Sequence, residues 1–265
     1  MFDSYNRRID YLRISVTDKC NLRCRYCMPA EGVPPRNHDE FLSLETIAEV
    51  VRVGVRLGIT KIRLTGGEPL VKRGILELVR MIREVPGVKH LGMTTNGVLL
   101  PRYAGPLRRA GLDSLNVSLD TLDPDRYRDI TRCGDIRHVL AGIEAARAAG
   151  FPIKINMVVL QDTGAGAIEA MRRFCAEKGL TLQLVNHYAL GEEKLDSYSF
   201  DRPPRCESCN KIRLLADGTL KPCLHSNEEI VLDPEAIEES LRRTIAAKPE
   251  RGGACTNRPM VEIGG

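Results

Sequence analysis

Tryptophan is absent from this 265-residue chain and aromatic residues make up only 5% of it. That leaves few platforms on which the bases of a single strand could stack. No apolar run approaches the ~20 residues that a bilayer-spanning helix needs. The opening residues, Met1-Phe2-Asp3-Ser4-Tyr5-Asn6-Arg7-Arg8, lack the apolar stretch of a secretory signal. Excess charge of one sign is scarce as well. Thirty-nine basic residues face 35 acidic ones, and the net +4 is scattered rather than gathered into the basic stripe of a nucleic-acid binder. These absences predict a cytoplasmic protein with no membrane and no nucleic-acid partner, and at most a mild attraction for small anions. The 43% hydrophobic and 28% charged shares are ordinary for a globular protein and exclude long disorder. The length suits one large domain, or one domain with a small appendage.

Against this plain background stand nine cysteines: Cys20, Cys24, Cys27, Cys133, Cys175, Cys206, Cys209, Cys223 and Cys255. A disulfide scaffold would be shorter and secreted. Clustered thiols in a reducing compartment point instead to metal or redox chemistry.

Between residues 10 and 190, strand-like apolar runs alternate with stretches of helical period. The strand runs are Leu12–Thr17, Lys61–Thr65, His90–Thr95, Ser114–Leu119, Ile153–Val159 and Leu182–Val185. Helical patterns cover Leu44–Leu57, Gly74–Arg83, Arg102–Ala110, Ile136–Ala149 and Ala167–Lys178. Leu44, Ile47, Ala48, Val51 and Val55 recur at three and four residues, as one buried helix face should, with Ser43 placed to cap it. Six β-then-α units fall short of the eight of a closed barrel, so the pattern predicts an open partial barrel or a doubly wound sheet. In both, ligands meet the carboxyl ends of the strands. The character changes near residue 190, with linker-like Gly191–Lys194 and Arg202–Arg205 leading to a cysteine cluster, one helical pattern (Pro234–Ala247) and a Gly-Gly end.

Cys20-x3-Cys24-x2-Cys27 follows the first strand directly. Three thiolates on one loop can hold three irons of a four-iron cluster and leave the fourth open to a small molecule. A structural zinc ion would want a fourth ligand, and none lies adjacent, His38 being beyond the Pro34-Pro35 turn. Three buried cysteines without metal are the plainer alternative. Thirty-eight residues (28–65) separate Cys27 from Gly66-Gly67-Glu68-Pro69, a turn after the second strand whose glycines permit close backbone approach.

Together with Tyr26, these motifs resemble the radical S-adenosylmethionine (SAM) superfamily. Asp18–Pro29, Thr94-Thr95-Asn96-Gly97 and Asn116-Val117-Ser118-Leu119-Asp120 further resemble the MoaA family, the GTP 3′,8-cyclases of molybdenum-cofactor synthesis. The resemblance implies a partial (β/α)6 TIM barrel over residues 1–190 and a small C-terminal Fe–S-binding subdomain over 191–265. It implies SAM held by Tyr26, Gly66, Gly67, Glu68 and Ser118, with Asn156 beside them, and a nucleotide held by Arg13, Arg63, Thr94, Lys154, Lys211 and Arg213. Arg213 also counts among the catalytic residues, with Cys20, Cys24 and Cys27. Electrons would come from a donor such as flavodoxin or ferredoxin, and a homodimer is compatible with the family.

Cys206-x2-Cys209-x13-Cys223 is a second triad, with Asp217-Gly218 reading as a hairpin turn that returns Cys223 to the CxxC. By pattern alone it could hold zinc, completed by Cys255 or His225. The resemblance implies instead an auxiliary [4Fe-4S] cluster whose open iron meets the guanine, making two clusters in all. The resemblance likewise takes the Gly264-Gly265 end into the active-site cavity, where a frayed terminus is the alternative. Cys133 and Cys175 fit no cluster pattern and read as structural thiols.

Three departures bear on the substrate. Gln183 stands where the family has an arginine (in Gln183-Leu184-Val185-Asn186), Lys211 replaces another arginine, and the segment before Cys206 is short. Arginine and lysine are not equivalent at a bidentate phosphate site. A less charged substrate, a peptide-modifying activity and a non-catalytic Fe–S or zinc module are the competing readings.

Overall fold

The computed structural model describes residues 1–34, 40–200 and 203–264. Pro35, His38, Arg202 and Gly265, named above, lie outside the described residues.

Period-two alternation builds the sheet. In β1 (Tyr11–Ser15) Leu12 and Ile14 are buried while Tyr11 and Arg13 face the other side. The same pattern runs through β2 (Lys61–Thr65), β4 (Ser114–Ser118) and most of β5 (Ile153–Val159), whereas β3 (His90–Thr95) buries Leu91, Gly92 and Met93 in succession and β6 (Thr181–Asn186) is only half-buried; all are parallel. The apolar face, from Leu12 and Ile14 to Ile155 and Met157, packs into one core. Helices α1 (Leu44–Arg56), α2 (Ile75–Arg83), α3 (Leu100–Arg109), α4 (Pro124–Thr131), α5 (Ile136–Ala148) and α6 (Ala165–Lys178) fill the crossovers. Ser43 caps α1 as expected, its hydroxyl accepting from the Thr46 N–H at 3.0 Å. Helix α4 escaped the periodicity reading because it buries little besides Tyr127, Ile130 and Thr131. An aspartate cap (Asp123) and Pro124 at its first position start it.

The chain beyond residue 190 extends the same sheet. Strand β7 (Lys211–Leu214) pairs in parallel with β1, then β8 (Thr219–Lys221) and β9 (Ile230–Val231) add antiparallel, giving the order β6-β5-β4-β3-β2-β1-β7-β8-β9. This sheet does not close, so the architecture is an open partial barrel. Asp217-Gly218 does make the β7–β8 turn, with Gly218 at φ +87° and the Asp217 carboxylate accepting from the Thr219 N–H at 3.0 Å. Helix α7 (Ile237–Ala246) and the short α8 (Met260–Ile263) complete the chain. Among the described residues no helix is long and apolar enough to cross a membrane.

Candidate active site

The second face of the sheet is polar, and register decides what meets on it. Arg13 lies opposite Arg63 on β2 and opposite Arg213 on β7, so three arginines stand side by side across three adjacent strands. Gly92, opposite Arg63, makes room: a Cβ there would sit 2.8 Å from a guanidinium nitrogen. The Arg63 Nε donates to the Tyr11 hydroxyl at 2.7 Å. Farther along the face Thr94 faces Asn116, Asn116 faces Lys154, and Asn156 lies between Ser118 and Gln183. Burial, then the neighbouring Arg213 and Arg63 charges, pulls Arg13 down to about 9. At the amino ends of the strands Tyr11, Lys61, Gln183 and Lys211 line a further cavity of about 530 Å³. Lys61 had not been singled out in the sequence, although it holds the same alternating position as Arg63.

The first triad sits where the carboxyl ends of the strands predict. Cys20, Cys24 and Cys27 line a cavity of about 200 Å³ with Tyr26, Gly66, Gly67, Thr94, Ser118 and Asn156. The overlooked helix α4 backs this loop: the N–H groups of Arg23 and Arg25 donate to its last carbonyls, on Thr131 and Ile130, at 3.1 and 2.9 Å. All three thiols are free. Burial, with the neighbouring Cys20 thiol, pushes Cys27 up to about 12, and burial, Asp120 and the other thiols drive Cys24 higher still. Three crowded, half-buried soft ligands, raised first by desolvation and then by neighbouring charge, fit a multiply charged iron cluster, whose positive irons would draw the protons off. The Gly-Gly turn lies against the same loop. A Cβ on Gly67 would meet the Lys19 carbonyl at 2.4 Å, so only glycine allows the approach.

Glu68 is held by partners within the chain. Its side chain is fully buried, and Oε1 accepts from the Leu70 N–H (3.0 Å) and the Thr95 hydroxyl (2.7 Å) while Oε2 accepts from the Asn96 N–H (2.7 Å). The carboxylate braces the turn to β3 rather than lining the cavity, because the two backbone amides at its ends would otherwise be buried without acceptors. Asp120, part of a motif but given no role, does comparable work: it accepts from the Tyr26 hydroxyl at 2.7 Å and from the Val158 N–H at 2.8 Å.

The hairpin also gathers the second triad. Cys206, Cys209 and Cys223 line a cavity of about 60 Å³ with Lys211, Arg213, His225 and Lys248. Lys248 is 2% exposed, and its ammonium donates to the Cys209 sulfur (3.4 Å) and to the Lys211 (2.8 Å) and Pro222 (2.9 Å) carbonyls. Burial pushes the Cys209 thiol up, but Lys248 and Lys211 outweigh it and hold the thiol below its ordinary value. Arg7, paired with Asp3, reaches across to the carbonyls of Cys206, Pro249 and Glu250. Burial, then Lys194 and Arg213, lowers His225 to about 4, and neither of its ring nitrogens has a hydrogen-bond partner. Cys255 is elsewhere, in a small apolar cluster with Leu190, Leu215 and Ile263. Cys175 is buried on α6, as a structural thiol should be, whereas Cys133 is exposed, 3.8 Å from the Asn21 carbonyl.

The chain's end links the two centres. The Gly264 carbonyl accepts from Arg213 (2.7 Å) and Arg13 (3.3 Å), and a Cβ on Gly264 would strike the Thr65 side chain at 2.6 Å. Thr65 and Gly66 line the first cavity, so the glycine, at φ +71°, fits where no side chain would.

The sequence profile of the Radical SAM superfamily matches residues 14–175. GTP 3′,8-cyclase from Alkaliphilus oremlandii is 41% identical over 320 aligned positions covering 100% of both chains. That from Geobacter sulfurreducens is 39% identical over 324 positions, covering 100% of this chain and 99% of the relative. An alignment of 320 positions spanning all 265 residues leaves at least 55 facing a gap in this chain. Among solved structures, Streptococcus suis SuiB bound to S-adenosylmethionine superimposes with a TM-score of 0.66 at 17% identity, covering 82% of this chain and 60% of that one. Native anSMEcpe with bound AdoMet gives 0.64 at 16% identity, covering 91% and 81%. Fold, thiol loop and overall sequence agree: the chain belongs to the radical SAM superfamily, whose members use SAM with a [4Fe-4S] cluster, and within it to the family of the GTP 3′,8-cyclases.

Proposed function

We propose that this chain is a cyclase that joins ribose C3′ of GTP to guanine C8, the first committed step toward the molybdenum cofactor. The observation that carries the reading is the row of Arg13, Arg63 and Arg213, in register on one polar face between two thiol triads. Burial first, and then the neighbouring guanidiniums, pull Arg13 down to about 9, and a bound polyanion would favour the charged form of all three arginines. Gln183 and Lys211 make the site less cationic than the family pattern. Lys154, on the same face, adds to the cationic set, whereas Lys61 pairs with Asp10.

When bound, such a cluster would supply the one-electron reduction that cleaves SAM and so the means of taking H3′ from the substrate. Cys20, Cys24 and Cys27 would hold that cluster through three thiolates, with SAM bound beside it. The backbone of Gly66-Gly67, with Ser118 and Asn156, takes the amino-acid and ribose ends of SAM, and Tyr26 is held in place by Asp120. Leu22, Val158, Val185 and Met260 line the same cavity and keep water from the reacting carbons. Thr94 presents a buried hydroxyl with no partner to the nucleotide. Cys206, Cys209 and Cys223 hold an auxiliary [4Fe-4S] cluster. A small one-electron donor of the flavodoxin or ferredoxin kind serves the first centre.

The test is anaerobic, dithionite-reduced protein given SAM and GTP deuterated at C3′. The reading expects deuterated 5′-deoxyadenosine together with a new, unlabelled nucleotide isomeric with GTP, the lost hydrogen being replaced by an electron from the reductant and a proton from water. Unlabelled 5′-deoxyadenosine alone would retain SAM cleavage and reject GTP. Zinc in place of iron, with no cleavage, would reject the enzyme.

A further inference from the structure

His225 is 3% exposed and lines the cavity of the second triad, and both its ring nitrogens are buried without a hydrogen-bond partner. Nothing about its packing requires an imidazole. Its ring lies tilted by 48° against Tyr188, centroids 4.9 Å apart, a contact phenylalanine would make as well without burying two polar atoms. The residue is also fixed in place. Its backbone N–H donates to the Cys223 sulfur at 3.4 Å, its carbonyl accepts from Gly253 at 2.9 Å, and a Cβ on Gly252 would lie 2.9 Å from its own. Tyr188 lines the cavity of the first triad, so the imidazole stands in the wall between the two cavities.

Building on the proposed function, we propose that His225 reads the purine of the substrate, one ring nitrogen hydrogen-bonding the polar edge of the base at the second cysteine centre. A neutral imidazole offers one donor and one acceptor. Either finds a match on the edge of an oxopurine, which carries ring N–H, carbonyl and amino groups in a row. The three arginines take the phosphates, which every nucleotide shares. His225 takes the base, where nucleotides differ. It is a positioning and specificity residue, so its effect belongs to binding.

The experiment compares His225→Phe and His225→Gln with wild type as reconstituted holoprotein, without SAM or reductant. GTP and inorganic tripolyphosphate are each titrated by anaerobic equilibrium dialysis, and iron is counted. His225→Phe is expected to weaken GTP about tenfold or more, leave tripolyphosphate unchanged and keep the wild-type iron content. His225→Gln is expected to recover part of the loss. Unchanged GTP binding in His225→Phe would overturn the role. So would an equal loss of tripolyphosphate, which would mean a damaged site, or a loss of iron, which would hand the imidazole to the metal centre. Wild-type protein that binds tripolyphosphate but not GTP would reject the proposed function itself, and this role with it.

Discussion

The two cysteine centres are built in opposite ways. The first is local: one loop carries all three thiols, a glycine turn presses on it, and buried acids surround it, Glu68 among the groups that raise Cys20 and Asp120 among those that raise Cys24. The second is assembled from distant pieces, with Cys206 and Cys209 before β7, Cys223 after β8, Lys248 after α7 and Arg7 from the N-terminus. It is surrounded by cations, and there Lys248 and Lys211 hold Cys209 low, although burial raises Cys223 as it raises Cys24 and Cys27. The difference suits two kinds of guest. SAM arrives as a sulfonium, and a cation meets less repulsion among acids than among lysines and arginines. A nucleotide triphosphate arrives as a polyanion and gains from lysines and arginines.

The sharpest way to break the comparison is to remove one thiol from each side. Cys24→Ala is expected to abolish 5′-deoxyadenosine formation. Cys209→Ala is expected to spare it and to lose the cyclised nucleotide, both read by anaerobic chromatography. Nucleotide product from Cys209→Ala would take the second centre out of the reaction and leave the first centre to serve both guests.

How much of this contrast could be read in the residues follows from what is local. The six parallel strands and the first triad were legible, because period-two alternation and a one-loop motif are properties of neighbouring residues. Lys61 and Asn116 obey the same alternation and could have been placed on the polar face with Arg63 and Ser118. Helix α4 is too polar for a periodicity signal, and β7, with Lys-Ile-Arg-Leu, is four residues pressed against cysteines that drew the attention. Glu68 was recognisable as part of a motif, but a motif carries residue type and not the direction a carboxylate points. The solitude of His225 depends on what fails to surround it, and that is decided by tertiary packing alone.

Assembly from distant pieces makes the second centre the more fragile, since its contacts close long loops before they return any energy. Lys248→Met tests this. It removes an ammonium that satisfies two backbone carbonyls and faces a thiol, and should cost about 2–4 kcal/mol in denaturant stability. Iron should fall to roughly half the wild-type content, with SAM cleavage at the first centre intact. Full iron content in this variant would mean that the hairpin alone organises the second site, making the two centres alike in construction.

The smallest effect concerns the acids around the first centre. Burial pushes the Glu68 carboxyl up to about 7, although Asn96, Thr95 and Leu70 donate to it. Between the ordinary carboxylate value near 4.5 and about 7, the folded chain keeps a proton that the unfolded chain has released. The contribution of Glu68 to stability is therefore fully present at low pH and is lost as pH rises through about 7. Glu68→Gln carries no such proton. Its amide places a second donor beside the Asn96 N–H or the Thr95 hydroxyl, a penalty that does not vary with pH. Urea titrations of anaerobic holoprotein at about pH 5 and about pH 8 should show wild type losing about 2–3 kcal/mol more than the variant across that range. Parallel losses would mean that Glu68 is ionised throughout. A buried carboxylate kept charged beside the SAM cavity would then be a counter-ion for the ammonium of SAM rather than a brace, and the acid-lined first centre would act on its guest by direct charge pairing, as the cation-lined second centre does.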